Sequence, residues 1–374
     1  MTWRYHAFTA AGDGRTVLAA SNLDLSSPAV VRDLSGPGSV SGTITPEIAR
    51  YKDSSGRPIF LPYRTILVAE YAGRITAGVL EGMDIEGPNL RLEAPGLISG
   101  LLRGTAHTGV FSGVKVDPLD VVREQIIGHA QSQPGGDLGI TVDPLRTRVR
   151  IGEELREVEF STGAGQDVAF EAGPYVLAWY KTDDLGKELD DLAVETPFDY
   201  LLETRWKTAT ELTHNLRLGH PRIGSRRNEL RFMVGENIVD EPTQTFAGEE
   251  YASEVLVLGA GEGRDMIRGT ARKSGGRLRR VRTITDKSIT SRARADRVAA
   301  DELKRGLGEA DITQVTVAEH PNAPLTAFDV GDEINLQWPS GWTPRGDLWV
   351  RVLSIEYQPD LDQAVLSVAR VEKI

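Results

Sequence analysis

Short stretches that alternate apolar and polar residues, each closed by a tight turn, occupy both ends of the sequence, and this period-two pattern limits the fold more than any other feature. Near the N-terminus, "RTILVAEY" (Arg64 to Tyr71), the dipeptide Ala72-Gly73 and "RITAGVLEG" read as a hairpin with Ile75, Ala77 and Val79 on one face. "LRLEA" (Leu90 to Ala94) reads as a strand before Pro95-Gly96, and "LSGPGSVSGTI" (Leu34 to Ile44) as a loop between extended pieces. At the other end, "VGDEINLQW" alternates at Ile334, Leu336 and Trp338, while "LWVRVLSIEY" and "QAVLSVARV" flank the turn "QPDLD". Thirty-nine glycines and nineteen prolines in 374 residues supply the turns that such a chain needs. Before residue 115 no stretch has helical periodicity.

Helical stripes belong to the middle of the chain. In "DPLDVVREQIIGHAQSQPGG", Asp117 is an N-cap, Pro118 takes the first helical position and Pro134-Gly135-Gly136 ends the helix. Leu119, Val122, Ile126 and Ala130 form its apolar stripe. In "SRARADRVAADELKRGLG", Thr290 or Ser291 caps, Ala295, Val298, Ala299 and Leu303 share a face, and Gly306 and Gly308 end the helix. A shorter helix is predicted from about Lys187 to Val194, with strands at 138–143, 146–151, 156–161, 211–218, 229–234 and 253–258. The class is α+β and rich in strands.

Several kinds of chemistry are excluded or left without support. With no cysteine, disulfides, thiol nucleophiles and cysteine-ligated metals are ruled out. The start, "MTWRYHAFTAAGDGR", lacks the apolar core of a signal peptide, and no run approaches 18 apolar residues, so the expectation is a soluble protein made in the cytoplasm with no membrane-spanning segment. "VLVLGAGEG" (Val255 to Gly263) looks like the entrance to a nucleotide site, but Gly259-x-Gly261-x-Gly263 is not G-x-G-x-x-G, and Gly263-Arg264-Asp265 is not a phosphate-binding Gly-Lys-Ser/Thr. A tight turn where glycine accepts positive φ is the better reading. The six histidines are scattered without ligand spacing, and no cofactor is expected. Asp183, Asp184, Asp190 and Asp191, beside Trp179 and Tyr180, are the best candidates for a carboxylate pair acting on a sugar. The same pattern also fits an acidic helix start next to core aromatics.

Fifty-four acidic against forty-three basic residues give a net charge of −11, which argues against general nucleic-acid binding. Residues 271–305 depart from this, with twelve Lys or Arg against four Asp or Glu, a local +8. That stretch is either a solvated strand and helix face or a positive surface that docks on an acidic neighbour.

The series "DPLDVVREQIIGHAQSQPGGDLGI", "YVLAWYKTDDLGKELDDLAVETPFDY", "LGHPRIGSRRNELRFMVGENI", "YASEVLVLGAGEGRDMIRG" and "GRLRRVRTITDKSIT" resembles the tail-hub, or tail-associated, minor tail proteins of long-tailed phages that infect actinobacteria. The resemblance runs from about residue 30 to the end and is most specific from 117 to 282. "FDVGDEINLQW" and "WVRVLSIEY" are similar, more broadly, to the closing β-domain of phage baseplate hubs.

That resemblance implies two tail-tube-like β-barrel domains plus smaller mixed α/β domains, with three copies forming a pseudo-sixfold ring. It implies a first barrel over 1–114, a mixed α/β domain over 115–210, a β-rich intermediate domain over 211–290, and a helix plus second barrel over 291–374. Barrel strands can come from distant segments, so these domains are not required to be continuous. The implied function is structural and non-enzymatic: a homotrimeric symmetry adaptor at the distal tip of the virion. Its implied partners are the distal tail protein, the C-terminus of the tape-measure protein and a central fibre or spike, with DNA passing through the lumen. Gly259, Gly261, Glu262 and Gly263 would shape a loop, and Arg279, Arg280 and Arg282 a ring or neighbour contact. The sequence stops directly after its last expected strand, which on this resemblance leaves wall degradation and receptor binding to other tip proteins. A carbohydrate-active tip enzyme and a distal tail protein ring are the alternatives.

Overall fold

The N-terminal hairpin forms as its pattern requires. Thr65–Tyr71 pairs antiparallel with Arg74–Val79, and Ala72 and Gly73 both have positive φ, 50° and 82°, the turn geometry that matches the twist of paired strands. Ile75, Ala77 and Val79 are buried. The computed structural model describes residues 2–371 apart from 11, 54, 155, 162–166, 244–250, 262, 264–265, 274–275, 277, 288, 290–291, 306–311 and 339–345. The chain divides into two units, the first comprising Met1–Gly152, Pro174–Glu241 and Val315–Val368, the second Glu153–Gly173, Pro242–Gln314 and Ala369–Ile374.

The first unit is built on two sheets. One has seven strands, in the order Ile140–Val142, Glu211–Gly219, Asp199–Trp206, Arg74–Val79, Thr65–Tyr71, Arg4–Ala10, Thr16–Ala20. It closes on itself, because Val17 and Thr16 pair back with Glu211 and Leu212, leaving Ile140–Val142 outside the ring. Closure removes the open edges that an isolated sheet exposes. Every residue of Thr65–Tyr71 is buried, so this strand is covered on both faces.

The other sheet has nine strands. Its main path runs Phe232–Met233, Glu333–Trp338, Gly346–Gln358, Ser26–Asp33, Ser39–Ile44, Asn89–Pro95, Gly82–Glu86, and Gln363–Arg370 joins Gly346–Gln358 to Gln314–Ala318. Ile238 bridges both Val317 and Val234, and the Val234 amide donates to the Gln337 carbonyl at 3.0 Å, so these strands also complete a circuit. Ile334, Leu336 and Trp338 are buried as their alternation predicts. The architecture is β-rich with few helices.

The middle helix begins at Asp117, whose carboxylate accepts from the Leu119 amide at 3.0 Å, with Pro118 behind it. Leu119, Val122, Ile126 and Ala130 are all buried. From Val121 to Ile127 it is wound as a π-helix, and Val121 is buried as well, a residue that a strict 3.6 stripe leaves out. Leu185–Glu195 covers the predicted 187–194 helix, and both helices join Phe8, Ile66, Val68 and Leu216 in one core.

Four expectations are corrected. Residues 97–102 form a helix although no periodicity marks it, because five of its six residues are buried and a helix covered all round has no polar stripe. "SVSGTI" (Ser39–Ile44) is a strand and not part of a loop; its Gly42 leaves room for Leu25, whose side chain lies 2.5 Å from where a Cβ would sit. The segment 146–151 is no strand beyond an Ile151–Val116 bridge, since Thr147 turns inward to bond Asp117 through its amide (2.7 Å) and hydroxyl (3.1 Å). The strand expected over 229–234 shrinks to Phe232–Met233.

The second unit contains a three-stranded sheet, Arg268–Arg272, Glu254–Leu258, Val281–Thr285, with the helix Arg292–Arg305 on one face. Ala295, Ala299 and Leu303 pack with Val255 and Val257. Gly269 permits this approach, since a Cβ there would lie 2.2 Å from the Ala295 backbone. The expected caps at Thr290, Ser291, Gly306 and Gly308 lie outside the described residues. A separate hairpin pairs Arg156–Ser161 with Asp167–Ala172.

Candidate assembly site

Where the two closed sheets of the first unit meet, charged side chains replace hydrophobic ones. Arg74, on the first sheet, donates to the hydroxyl oxygen of Tyr357 on the second (2.6 Å) and to the carbonyl of Phe328, in the loop that leads into the second sheet's strand Glu333–Trp338 (3.0 Å). Asp329 accepts both arms of Arg32, at 2.7 and 3.0 Å. Burial opposes ionisation of Asp329, but Arg32, with help from Arg74, outweighs it and holds the carboxyl below its ordinary range. Trp3 covers this cluster, stacked on Tyr71 at 4.7 Å and edge-on to Tyr357 at 5.3 Å.

A second contact is more deeply buried. Asp199, on the first sheet, forms an ion pair with Arg351 on the second, and it also accepts from the Ile223 amide at 2.6 Å. Arg351 spends its remaining donors on the carbonyls of Ile223 (2.9 Å) and Gly331 (3.1 Å). Hydrogen bonds fix direction as well as distance, so a seam of this kind sets the angle between two barrels where an apolar one could slide. The backbones also touch. Gly78 bridges Gly96, and a Cβ on Gly78 would lie 2.0 Å from the Ala94 carbonyl oxygen.

The closure of the first ring contains a pH-dependent element. His214 is buried between Thr16 and Thr204, whose hydroxyls lie 3.1 Å from Nε2 and 3.0 Å from Nδ1. A neutral imidazole satisfies both, donating at one nitrogen and accepting at the other. Burial pushes its pKa down to about 4 from 6.5. The unfolded chain therefore takes up this proton first, and stability present above pH ~6.5 is lost as pH falls toward 4, about 3 kcal/mol in all. Urea unfolding between pH 7 and 4 should show this slope, and His214→Gln should flatten it; an unchanged slope in the variant would assign the effect to other groups.

The residues singled out from the sequence fall in the second unit. Gly259 follows the strand Glu254–Leu258, and the loop to Arg268 turns back antiparallel, with the Gly259 amide donating to Ile267 at 2.7 Å. Gly261 and Gly263 have φ of 97° and 56°, conformations that favour glycine. Among the described residues no α-helix follows these glycines before the strand Arg268–Arg272, whereas a dinucleotide site requires one. Glu262 lies outside the described residues. Arg279 pairs with Glu254 at 2.8 Å and Arg282 with Glu302 at 3.5 Å, their side chains still 60% and 50% exposed. Arg280 precedes the strand Val281–Thr285, and its amide bonds the Ser253 hydroxyl.

The aspartates do not converge. Asp184 caps the helix Leu185–Glu195 by accepting from the Lys187 amide, and Asp190 accepts from the Tyr200 hydroxyl at 2.6 Å. Asp183 and Asp191 are exposed, as are Trp179 and Tyr180. Among the described residues no cluster of three His, Asp or Glu could hold a metal, and no helix is long and apolar enough to cross a membrane.

No protein-family model and no curated protein matches the chain. Solved structures do. The 43 kDa tail protein of prophage MuSo2 from Shewanella oneidensis superposes with a TM-score of 0.62 over 100% of this chain and 99% of its own, at 13% identity. The tail protein from Neisseria meningitidis MC58 gives 0.57 over 98% and 96%, also at 13% identity. A chain of the lidded Francisella PdpA–VgrG complex gives 0.54 over 100% of this chain and 53% of its own, at 8% identity. At such identities the likeness is one of fold, and the fold is that of phage tail proteins.

Proposed function

We propose that the chain is a structural, non-enzymatic protein of a phage tail tip, a hub in which three copies form a ring. The observation that carries this reading is the pair of closed sheets within one unit, joined by the buried Asp199–Arg351 ion pair. Three copies of a two-barrel subunit present six barrel-like modules, so a threefold ring can meet a sixfold tube. One face would take the distal tail protein and the other a threefold central fibre or spike. The tape-measure protein's C-terminus, and then DNA, would pass through the lumen. The phage would be a long-tailed one infecting actinobacteria, and the protein's place the distal tip of the virion.

The test is the solution mass by light scattering on a sizing column, with negative-stain images of the peak and of virions labelled against this protein. The expected result is three chains in hollow rings, or a monomer that labels the tail tip. Six chains would favour the distal tail protein ring, and a compact monomer absent from the tip would overturn the assembly reading. Full wall-degrading activity lost in Asp183→Asn with Asp190→Asn would favour the carbohydrate-active alternative.

A further inference from the structure

The second unit holds two pieces of β-structure with open edges and opposite charge. In its three-stranded sheet Glu254–Leu258 is central, so among the described residues the outer edge of Val281–Thr285 has no strand beside it. Val281, Arg282, Thr283 and Thr285 are exposed on that edge strand. Residues 279–287 carry Arg279, Arg280, Arg282 and Lys287 against Asp286 alone. An exposed, extended edge is a template for strand addition, and these cations select what adds to it.

The hairpin of Arg156–Ser161 and Asp167–Ala172 is the complement. Its two strands form a sheet of their own, and residues 153–173 carry Glu153, Glu154, Glu157, Glu159, Asp167 and Glu171 against Arg156 alone. The register sets Glu157 directly opposite Glu171. A two-stranded ribbon alone is marginal in water and gains from a third strand.

We infer that the two meet between subunits: the acidic hairpin of one copy adds to the Val281–Thr285 edge of the next, continuing a sheet across the boundary. Within one chain, the hairpin and the three-stranded sheet share no strand pairing among the described residues. Each copy thus offers one donor and one acceptor of different shape and charge, a head-to-tail arrangement that closes rings. Nucleic acid suits the basic edge less well, because residues 252–305 contain no Phe, Tyr or Trp on which bases could stack. The inference rests on the ring reading and names the contact that makes the ring.

The absence of native cysteine makes the test direct. Tagged Glu159→Cys or Ala169→Cys chains are mixed with untagged Thr283→Cys chains and treated with a short bismaleimide. The expected product joins tagged to untagged chains. It should fall at least tenfold when Arg279, Arg280 and Arg282 become Glu, and return when Glu157, Glu159 or Ala169, and Glu171 carry Arg at the positions not used for cysteine. No product from either hairpin cysteine, while the wild type still assembles as three chains, overturns this contact and leaves the hub reading standing. A wild type that never assembles, alone or on tails, ends both. Cross-linking inside a dilute double-cysteine chain overturns it by making the contact internal, and retention of a DNA duplex at physiological salt without any cross-link does so in favour of nucleic acid.

Discussion

Replacing Arg351 with methionine should remove about 3–5 kcal/mol of stability, the usual cost of stranding one partner of a buried ion pair. Asp199 would keep the Ile223 amide but lose its counter-charge, at a place where it is 9% exposed and Arg351 only 3%. Asp199→Asn alone should also destabilise, because Arg351 would then be the stranded charge. The two changes together should recover much of the loss, since asparagine still accepts from Ile223 and no charge is left buried. Urea unfolding of the four proteins measures this. A loss below about 1 kcal/mol for Arg351→Met would mean that water screens the pair as it does at a surface.

Gly78→Ala should be as damaging, for a steric reason. The added methyl would sit 2.0 Å from the Ala94 carbonyl oxygen and 2.7 Å from that of Pro95, both backbone atoms of the facing sheet. Neither can yield without moving a strand, so the cost belongs at or above the ~3 kcal/mol upper range for overpacking. Gly82→Ala is the matched control. Its nearest neighbour is the Glu93 side chain at 3.3 Å, and the change should stay within about 1 kcal/mol. If both variants unfold at the same denaturant concentration, the two sheets have room to separate and the seam is not the rigid joint described above.

What could be read in advance depended on whether a signal was local. The helix beginning at Asp117 was legible because cap, proline and stripe lie within a few residues of one another. The hairpin around Ala72-Gly73 was legible for the same reason. Leu97–Leu102 was not, since burial on all sides erases periodicity, and Ser39–Ile44 was hidden by its small residues. The seam could not be found by pattern. Arg74 and Tyr357 are 283 positions apart, and Asp199 and Arg351 are 152 apart. One trace of it stood in the sequence: Arg351 interrupts the apolar run "LWVRVLS", and a charge inside a buried strand demands a partner. The exposed arginines at 279 and 282 were legible as a basic stretch, but their carboxylate partners Glu254 and Glu302 were not.

The pairing of Ser26–Asp33 with Gly346–Gln358 sets the order in which this protein can be made. The early strand gains its local neighbour Ser39–Ile44 almost at once, but its other edge must wait for residues more than 300 positions later. At about 5–20 residues per second, a ribosome needs roughly 15–60 s to supply them. Throughout that interval the nascent chain displays an unpaired, β-branched edge. Folding after release is then slow as well, because so many contacts join distant parts of the chain. Yield in a cell should therefore depend on what shields that edge during translation more than on the stability of the finished molecule.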